Sequence, residues 1–167
     1  MNKQLKEEYS FENFWQKDPG KLRNEILTIW KQHIPQLVGA KAEERLSQLV
    51  YVMKDASNQV AGESTAQKVY IKRLKSYLYG VRIMIRPFDR QPGLSSKLMV
   101  MTRDFLESIH TKDSTNPTIG IISLVENKEY LVHRREAIWK ASQMVYIGNS
   151  PTGKQIRVYY FNDAMIG

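Results

Sequence analysis

The sequence contains no cysteine among its 167 residues. This absence excludes disulfide bonds, zinc sites with cysteine ligands and thiol nucleophiles. The sequence also has no apolar run near the roughly 20 residues that a membrane-spanning helix needs. Internal repeats, low-complexity segments and linkers are missing as well, so we expect a single domain over residues 1–167.

The N-terminal residues, Met1 to Glu8, have no apolar core and do not resemble a secretory signal. The lack of cysteine does not by itself decide the compartment. Together with the lack of a membrane-spanning run, these features predict a cytoplasmic protein that makes no membrane contact.

Acidic residues are outnumbered, since 17 Asp and Glu stand against 25 Lys and Arg and the formal net charge is +8. Such an excess favours an anionic partner, a class that includes nucleic acid, acidic protein and phosphorylated ligands. The densest basic run extends from Lys68 to Lys75, with Tyr70 and Tyr77 close by. Aromatic residues among basic ones occur on nucleic-acid-binding faces, but a solvated strand and hairpin is the interpretation that we favour for this run.

The three histidines, His33, His110 and His133, have no spacing typical of a metal site or a catalytic set, and we expect no metal. Two carboxylates, Asp55 and Glu63, are candidates for a general base that accepts a proton from a substrate. A solvated position is the simpler interpretation of both.

Apolar residues at helical spacing predict a first helix that begins at Asp18, as its cap, and ends near Pro35. A second, shorter helix is expected over residues 40–48. Its pattern places Glu44 and Arg45 on the outward face.

Three strands joined by short turns are predicted next, as an antiparallel meander, at residues 49–53, 60–71 and 77–85. A helix over residues 96–109 leads from the last of them to an apolar strand at residues 118–125. A strand–helix–strand crossover makes these two strands parallel.

The remaining sequence predicts a helix over residues 126–141 and a closing hairpin. The hairpin strands are expected at residues 143–147 and 155–161, joined by a turn from Asn149 to Gly153. The fold class is therefore a mixed α/β (α+β) sheet with an antiparallel meander followed by a β-α-β crossover. Exposed edges in the last hairpin leave a homodimer open.

The most informative segment lies between the strand that ends at Ile85 and the helix that begins at Ser96. It reads Arg-Pro-Phe-Asp-Arg-Gln-Pro-Gly-Leu-Ser. A turn of small residues that opens a helix can bind an anion, because the first N–H groups of the helix have no partner within it. An ordinary strand-to-helix loop explains the spacing alone equally well.

Within this segment, Arg90-Gln91-Pro92-Gly93-Leu94-Ser95 resembles the (Gln/Arg)-x-x-Gly-x-(Gly/Ala) signature of the Gcn5-related N-acetyltransferases, the GNAT superfamily. Pro87 also stands where many members carry a proline. In this family the amides of the turn bind the pyrophosphate of acetyl-coenzyme A (acetyl-CoA), and the preceding strand pairs with the pantetheine arm. Ser95 replaces the usual Gly or Ala, and Pro92 removes one amide donor.

The resemblance extends over most of the chain. It implies a single GNAT-like acyltransferase domain over residues 1–167, with a sheet that splays open between the fourth and fifth strands. It also implies backbone contacts from the strand to the pantetheine and from the turn to the pyrophosphate. The implied cofactor-binding residues are Ile83, Met84, Ile85, Arg90, Gln91, Gly93, Leu94, Ser95 and Ser96.

Many members of the family use a tyrosine as the general acid for the departing thiolate. The family pattern Asn-x-x-Ala-x-x-x-Tyr is imperfect here. Asn127 is present, but the residue four positions after Ala137, where the pattern has its tyrosine, is Ala141. Tyr130 and Tyr146 are the candidate catalytic residues. A packed or half-buried aromatic side chain is the alternative interpretation of each.

The resemblance implies an acyl-CoA-dependent N-acyltransferase that transfers an acetyl group from acetyl-CoA to an amine, on a small molecule or a protein. Two alternatives stay open. One is a GNAT-like binding module without catalysis, and the other is a basic protein that associates with nucleic acid. The acceptor-binding region of the family comprises the early helices and the closing hairpin, and neither identifies the acceptor here.

Overall fold

The computed structural model describes residues 9–113 and 115–167. The prediction that residues 1–8 are not a secretory signal therefore lies outside the described residues. The helices are α1 (Leu22–His33), α2 (Ala40–Leu46), α3 (Leu94–Lys112) and α4 (Lys128–Val132). The strands are β1 (Ser10–Asn13), β2 (Leu49–Lys54), β3 (Val60–Ile71), β4 (Ser76–Ile85), β5 (Thr118–Val125), β6 (Val145–Asn149) and β7 (Gln155–Tyr160). No described helix is long and apolar enough to cross a membrane.

The strands form one mixed sheet in the order β1-β2-β3-β4-β5-β7-β6. β2 is antiparallel to both β1 and β3, and β7 is antiparallel to both β5 and β6. β4 and β5 are parallel and are connected through α3, which is the β-α-β crossover that the sequence predicts. The mixed α/β fold class is therefore confirmed.

The chain divides into two compact units, each made of two segments. The first unit contains the described residues as far as Thr65 together with Ile83–Ser95. Its core buries apolar side chains of α1, α2 and the adjoining strands, among them Ile26, Trp30, Leu46, Val52, Val60 and Met84. The apolar stripe predicted for α1 accounts for this packing, because residues three and four apart share one helix face.

The second unit contains Ala66–Arg82 and Ser96–Gly167. Leu78, Ile119 and Val158 are the buried members of a cluster contributed by β4, β5 and β7. β-branched side chains are well suited to this position, because they pack on a pleated surface. The prediction of a single domain over residues 1–167 stays a prediction.

The predicted cap of α1 is wrong. α1 begins at Leu22, and no side chain in the described part of the chain caps it. Asp18 Oδ1 instead accepts the N–H of Gly20 at 2.8 Å, in the turn before the helix. Gly20 has φ +55°, which is incompatible with a right-handed helix that continues from Asp18.

The helix predicted over residues 126–141 is also wrong, because α4 ends at Val132. Carbonyl groups beyond it are engaged by distant residues. Arg157 Nη2 donates to Glu136 O at 2.9 Å, and the N–H of Tyr146 donates to Ala137 O at 2.8 Å. These tertiary hydrogen bonds replace the bonds that a continued helix would form.

Candidate functional site

The strand–turn–helix segment of the sequence is present, and its turn belongs to the Ile83–Ser95 part of the first unit. β4 ends at Ile85, a 3₁₀ turn covers Pro87–Asp89, and α3 begins at Leu94. Gly93 has φ +85°, a left-handed conformation that L side chains rarely adopt. A Cβ atom on Gly93 would have no heavy atom of residues 9–113 and 115–167 within 4 Å, so these residues leave the backbone here open to an incoming group.

The N–H groups that open α3 are the candidate anion donors. The N–H of Leu94 donates to Gln91 O at 3.2 Å and closes the turn. The next N–H groups, of Ser95 and Ser96, lie in the first helical turn, where backbone donors have no acceptor within the helix. The dipole of this helix of 19 residues adds partial positive charge at the same end.

Two long polar side chains precede these donors in the sequence. Arg90 is exposed, and its Nε donates to Ile85 O at 3.1 Å. No carboxylate of the described residues forms an ion pair with Arg90, so its charge is available to an anion. Gln91 is half-buried, and its Nε2 donates to Tyr9 Oη at 3.3 Å.

A charge network that sequence reasoning missed lies directly before the turn. Arg86 is only 9% exposed. Its Nε donates to Asp89 Oδ2 at 2.5 Å and its Nη2 donates to Asp55 Oδ2 at 2.8 Å. The hydroxyl of Tyr9 donates to Asp89 Oδ1 at 2.9 Å. The network therefore fixes the 3₁₀ turn to the β2–β3 turn and to the residue preceding β1.

The electrostatics of this network favour the charged forms of Arg86 and Asp55. Burial lowers the pKa of Arg86, but the hydrogen bonds and charges of Asp89 and Asp55 outweigh it and raise that pKa above its ordinary value. The N–H of Gln59 and then the Arg86 guanidinium lower the pKa of Asp55. The expectation that Asp55 is a solvated carboxylate is wrong, because it is half-buried and ion-paired.

The strand residues proposed to contact pantetheine are packed closely against β3. Met84 and Ile85 are buried and Ile83 is half-buried. A Cβ atom on Gly62 would lie 2.6 Å from Met84 O, so the close approach of β3 requires glycine there. Ile85 O already accepts the bond from Arg90. The contacts expected from these three residues stay a prediction.

The two candidate tyrosines lie in the second unit. Tyr130 is half-buried in α4, with its ring edge-on to Trp139 at a centroid distance of 5.5 Å. Tyr146 is exposed in β6, and its hydroxyl donates to Asn149 Oδ1 at 3.3 Å. Asn127 caps α4 by accepting the N–H of Tyr130 at 3.2 Å, which is a structural role. A catalytic role for either tyrosine stays a prediction.

Arg157 of β7, which sequence reasoning also missed, connects the surroundings of both tyrosines. It is buried, and its guanidinium carbon lies 3.9 Å from the centroid of the Trp139 ring and 5.9 Å from that of Tyr146. Burial lowers the pKa of Arg157. Carbonyl oxygens of the segment after α4 and the side-chain oxygen of Gln155 accept its N–H groups. Arg157 therefore positions this segment.

The sequence matches no protein-family model and no curated protein. Solved structures do match the fold. A GNAT superfamily phosphinothricin acetyltransferase from Sinorhizobium meliloti, in complex with AcCoA, has a TM-score of 0.64 at 11% identity, over 95% of this chain and 91% of that chain. An acetyltransferase of the GNAT family from Streptococcus pneumoniae has a TM-score of 0.63 at 10% identity, over 93% and 100%. AtaTR bound with AcCoA has a TM-score of 0.60 at 12% identity, over 92% and 93%.

The chain has the GNAT fold. Because these identities are low, the comparison establishes only the arrangement of helices and strands. The resemblance that the Arg90–Ser95 turn indicates is thus confirmed for the fold. In this GNAT-fold chain, the candidate site consists of the turn at Gly93 and the first N–H groups of α3.

The GNAT-fold chain also buries two charges that the sequence placed in solvent. Glu63 is 1% exposed, and its Oε1 accepts Trp30 Nε1 at 2.9 Å and Arg45 Nη2 at 3.1 Å. Arg45 is likewise buried. The predicted outward position of Arg45 and solvated position of Glu63 are wrong, because pairing offsets the loss of hydration. A carboxylate held in this way is unsuited to act as a base for an exposed amine.

The histidines are dispersed in the structure. His33 and His133 are exposed, and His110 packs its ring against Phe161 at a centroid distance of 5.0 Å. Within residues 9–113 and 115–167, no group of three His, Asp or Glu side chains comes together as a metal site.

Proposed function

We propose that the protein is an acetyl-CoA-dependent N-acetyltransferase. The observation that carries the proposal is Gly93, held at φ +85° between β4 and the first turn of α3 in a chain with the GNAT fold. The open backbone at this glycine allows a phosphate to reach the helix amides. Two of the matched structures hold AcCoA, which supports the choice of ligand.

The residues present fit the pyrophosphate of this ligand. Ser95 and Ser96 offer backbone N–H donors, and Arg90 offers a charge that no described carboxylate pairs with. Gly93 lets the backbone approach. Pro92 has no N–H, so the donor set is one amide smaller than the turn could otherwise supply. The pantetheine arm would lie along the backbone of β4 at Ile83–Ile85.

The chemistry requires the acceptor amine to attack the thioester carbonyl, with loss of an amine proton and protonation of the departing thiolate. Tyr146 is the better placed proton donor of the two tyrosines, because its hydroxyl is at the surface. Glu63 is buried in an ion pair, so the amine proton leaves through water. The acceptor is an amine-bearing small molecule or protein.

A second candidate function is a CoA-binding module without catalysis. The packing of Tyr130 on Trp139 and the cap formed by Asn127 favour it, because both assign structural roles, one to a candidate catalytic tyrosine and the other to the asparagine of the family's pattern. Turnover with an amine acceptor separates the two candidates.

Calorimetric titration with acetyl-CoA tests the proposal. We expect micromolar affinity, about −8 kcal/mol, which Gly93→Val abolishes because its side chain blocks the phosphate. The matched control is Gly153→Val, since Gly153 has φ +80° and equally open space around a Cβ. Both variants carry similar backbone strain, so only the ligand contact differs. A wild-type protein that does not bind, or a Gly93→Val variant that binds normally, contradicts the proposal.

A further inference from the structure

A basic and aromatic surface covers the end of the β3–β4 hairpin in the second unit. We name it the hairpin surface. The segment Ala66–Arg82 contains five basic residues and no acidic residue, whereas the net charge of the whole chain is +8. One hairpin therefore carries much of the positive surplus. The hairpin surface consists of Lys68, Tyr70, Lys72, Arg73, Lys75 and Tyr77.

The two tyrosines form an exposed aromatic pair. Tyr70 is 51% exposed and Tyr77 is 43% exposed. Their ring centroids are 5.1 Å apart with an interplanar angle of 60°, an edge-to-face contact. Beyond this contact, about half of each side chain is accessible to solvent. A base has a flat π-face that can stack on such a ring.

The basic side chains around the pair are also accessible. Lys68, Lys72, Arg73 and Lys75 are all exposed. None of them forms an ion pair with a carboxylate within the described parts of the chain. Three of the four follow one another closely in the turn, so their charges add over a short distance.

We propose that the hairpin surface binds single-stranded nucleic acid. Its lysine and arginine side chains pair with phosphates, and its two tyrosines stack on bases. A solvated hairpin accounts for the charges and for the contact between the rings, but it does not use the exposed part of either ring. A single strand of nucleic acid uses both the charges and the exposed rings. The surface shares no residue with the Arg90–Ser96 turn, so the inference is independent of the proposed acetyltransferase activity.

Fluorescence anisotropy with labelled oligo-U and oligo-dT of about 12 nucleotides, within the site sizes of such proteins, tests the aromatic part. Tyr70→Ala/Tyr77→Ala removes the rings, and Tyr70→Phe/Tyr77→Phe keeps them. We expect the alanine variant to weaken binding about tenfold for each stacked base, while the phenylalanine variant binds like wild type. An alanine variant with wild-type affinity, or a wild-type protein that binds neither oligomer, overturns the proposal.

Salt dependence tests the charged part. Lys72→Gln/Lys75→Gln should reduce the slope of log affinity against log salt by about 0.7 for each lost phosphate contact. Lys21→Gln/Lys41→Gln removes the same charge from exposed positions of the first unit and is the matched control. Equal slopes in both variants overturn the proposal. A competition with polyglutamate provides the second check. If polyglutamate displaces the oligomer equally from wild type and from the alanine variant, the partner is an acidic protein and the proposal is overturned.

Discussion

At the scale of single residues, the chain neutralises its buried arginines in different ways. Arg86 is held by the carboxylates of Asp89 and Asp55, and Arg45 by that of Glu63. Arg157 is held by backbone carbonyls and stacked on Trp139. A guanidinium can accept all three environments because it stays charged and presents several donors in a plane.

The first prediction concerns Arg86. Replacing it by methionine leaves Asp89 buried without its cationic partner, so we expect Arg86→Met to lower the free energy of unfolding by about 3 kcal/mol. Urea denaturation measures the change. Arg82→Met is the control, because Arg82 is exposed in β4, four residues before Arg86, and should change stability by less than about 0.5 kcal/mol. Equal effects of the two substitutions would contradict the role assigned to the network.

The second prediction concerns pH. The pKa of Asp55 is lower in the folded protein than its ordinary value, so ionised Asp55 stabilises the fold above the unfolded-state pKa of about 4. This contribution is lost as the pH falls through the lowered, folded-state pKa. Urea unfolding at a series of acidic pH values should show a shallower decline for Asp55→Asn than for wild type. Asp163→Asn, at an exposed position, is the control, and an Asp55→Asn profile parallel to wild type would argue against the linkage.

The third prediction separates the two tyrosines. A phenolic general acid contributes about 100-fold or more to kcat, so its phenylalanine variant loses that factor with unchanged acetyl-CoA affinity. We expect the loss for Tyr146→Phe and not for Tyr130→Phe. Steady-state kinetics with an identified amine acceptor measures it. Unchanged kcat in both variants would remove the tyrosine from the mechanism.

At the scale of elements, spacing in the sequence locates most helices and strands. β3 and β5 have the predicted bounds, and α1 ends where Pro35 was expected to stop it. Their periodicities are local properties, set by alternation in strands and by helical spacing in α1. The segment after Val132 differs, because its carbonyls are bound by Arg157 and by the N–H of Tyr146. The local spacing of residues does not indicate these partners, because they are distant in sequence.

The fourth prediction concerns the pairing of β5 with β7. A Cβ atom on Gly120 would clash with the backbone of Tyr159. One on Gly80 would lie 3.6 Å from the side chain of Val69 and 3.7 Å from Gln67 O, both at ordinary van der Waals distance. We expect Gly120→Ala to lower the free energy of unfolding by about 1–3 kcal/mol. Gly80→Ala is the matched control and should be close to neutral. Chemical denaturation compares them, and equal stabilities would show that β7 shifts to admit the methyl group.

At the scale of the whole molecule, the order of elements and the mixed sheet are those of the GNAT fold. The strand–helix–strand order predicts that β4 and β5 are parallel, and the resemblance to the family implies the rest of the arrangement. The site is predictable to a smaller extent. The turn at Gly93 shows in the sequence through its glycine and its position before a helix, while the residues that brace it do not.

The sequence by itself determined the periodic elements, the crossover and the turn before α3, because each depends on residues that are neighbours along the chain. The tertiary structure alone decided that Arg45 and Glu63 are buried together, that Arg86 joins Asp89 to Asp55, and where α4 ends. Each of these depends on a charged or polar group whose partner is distant in sequence. Sequence patterns register the polarity of such a residue, but its burial depends on whether folding brings a partner within hydrogen-bonding distance.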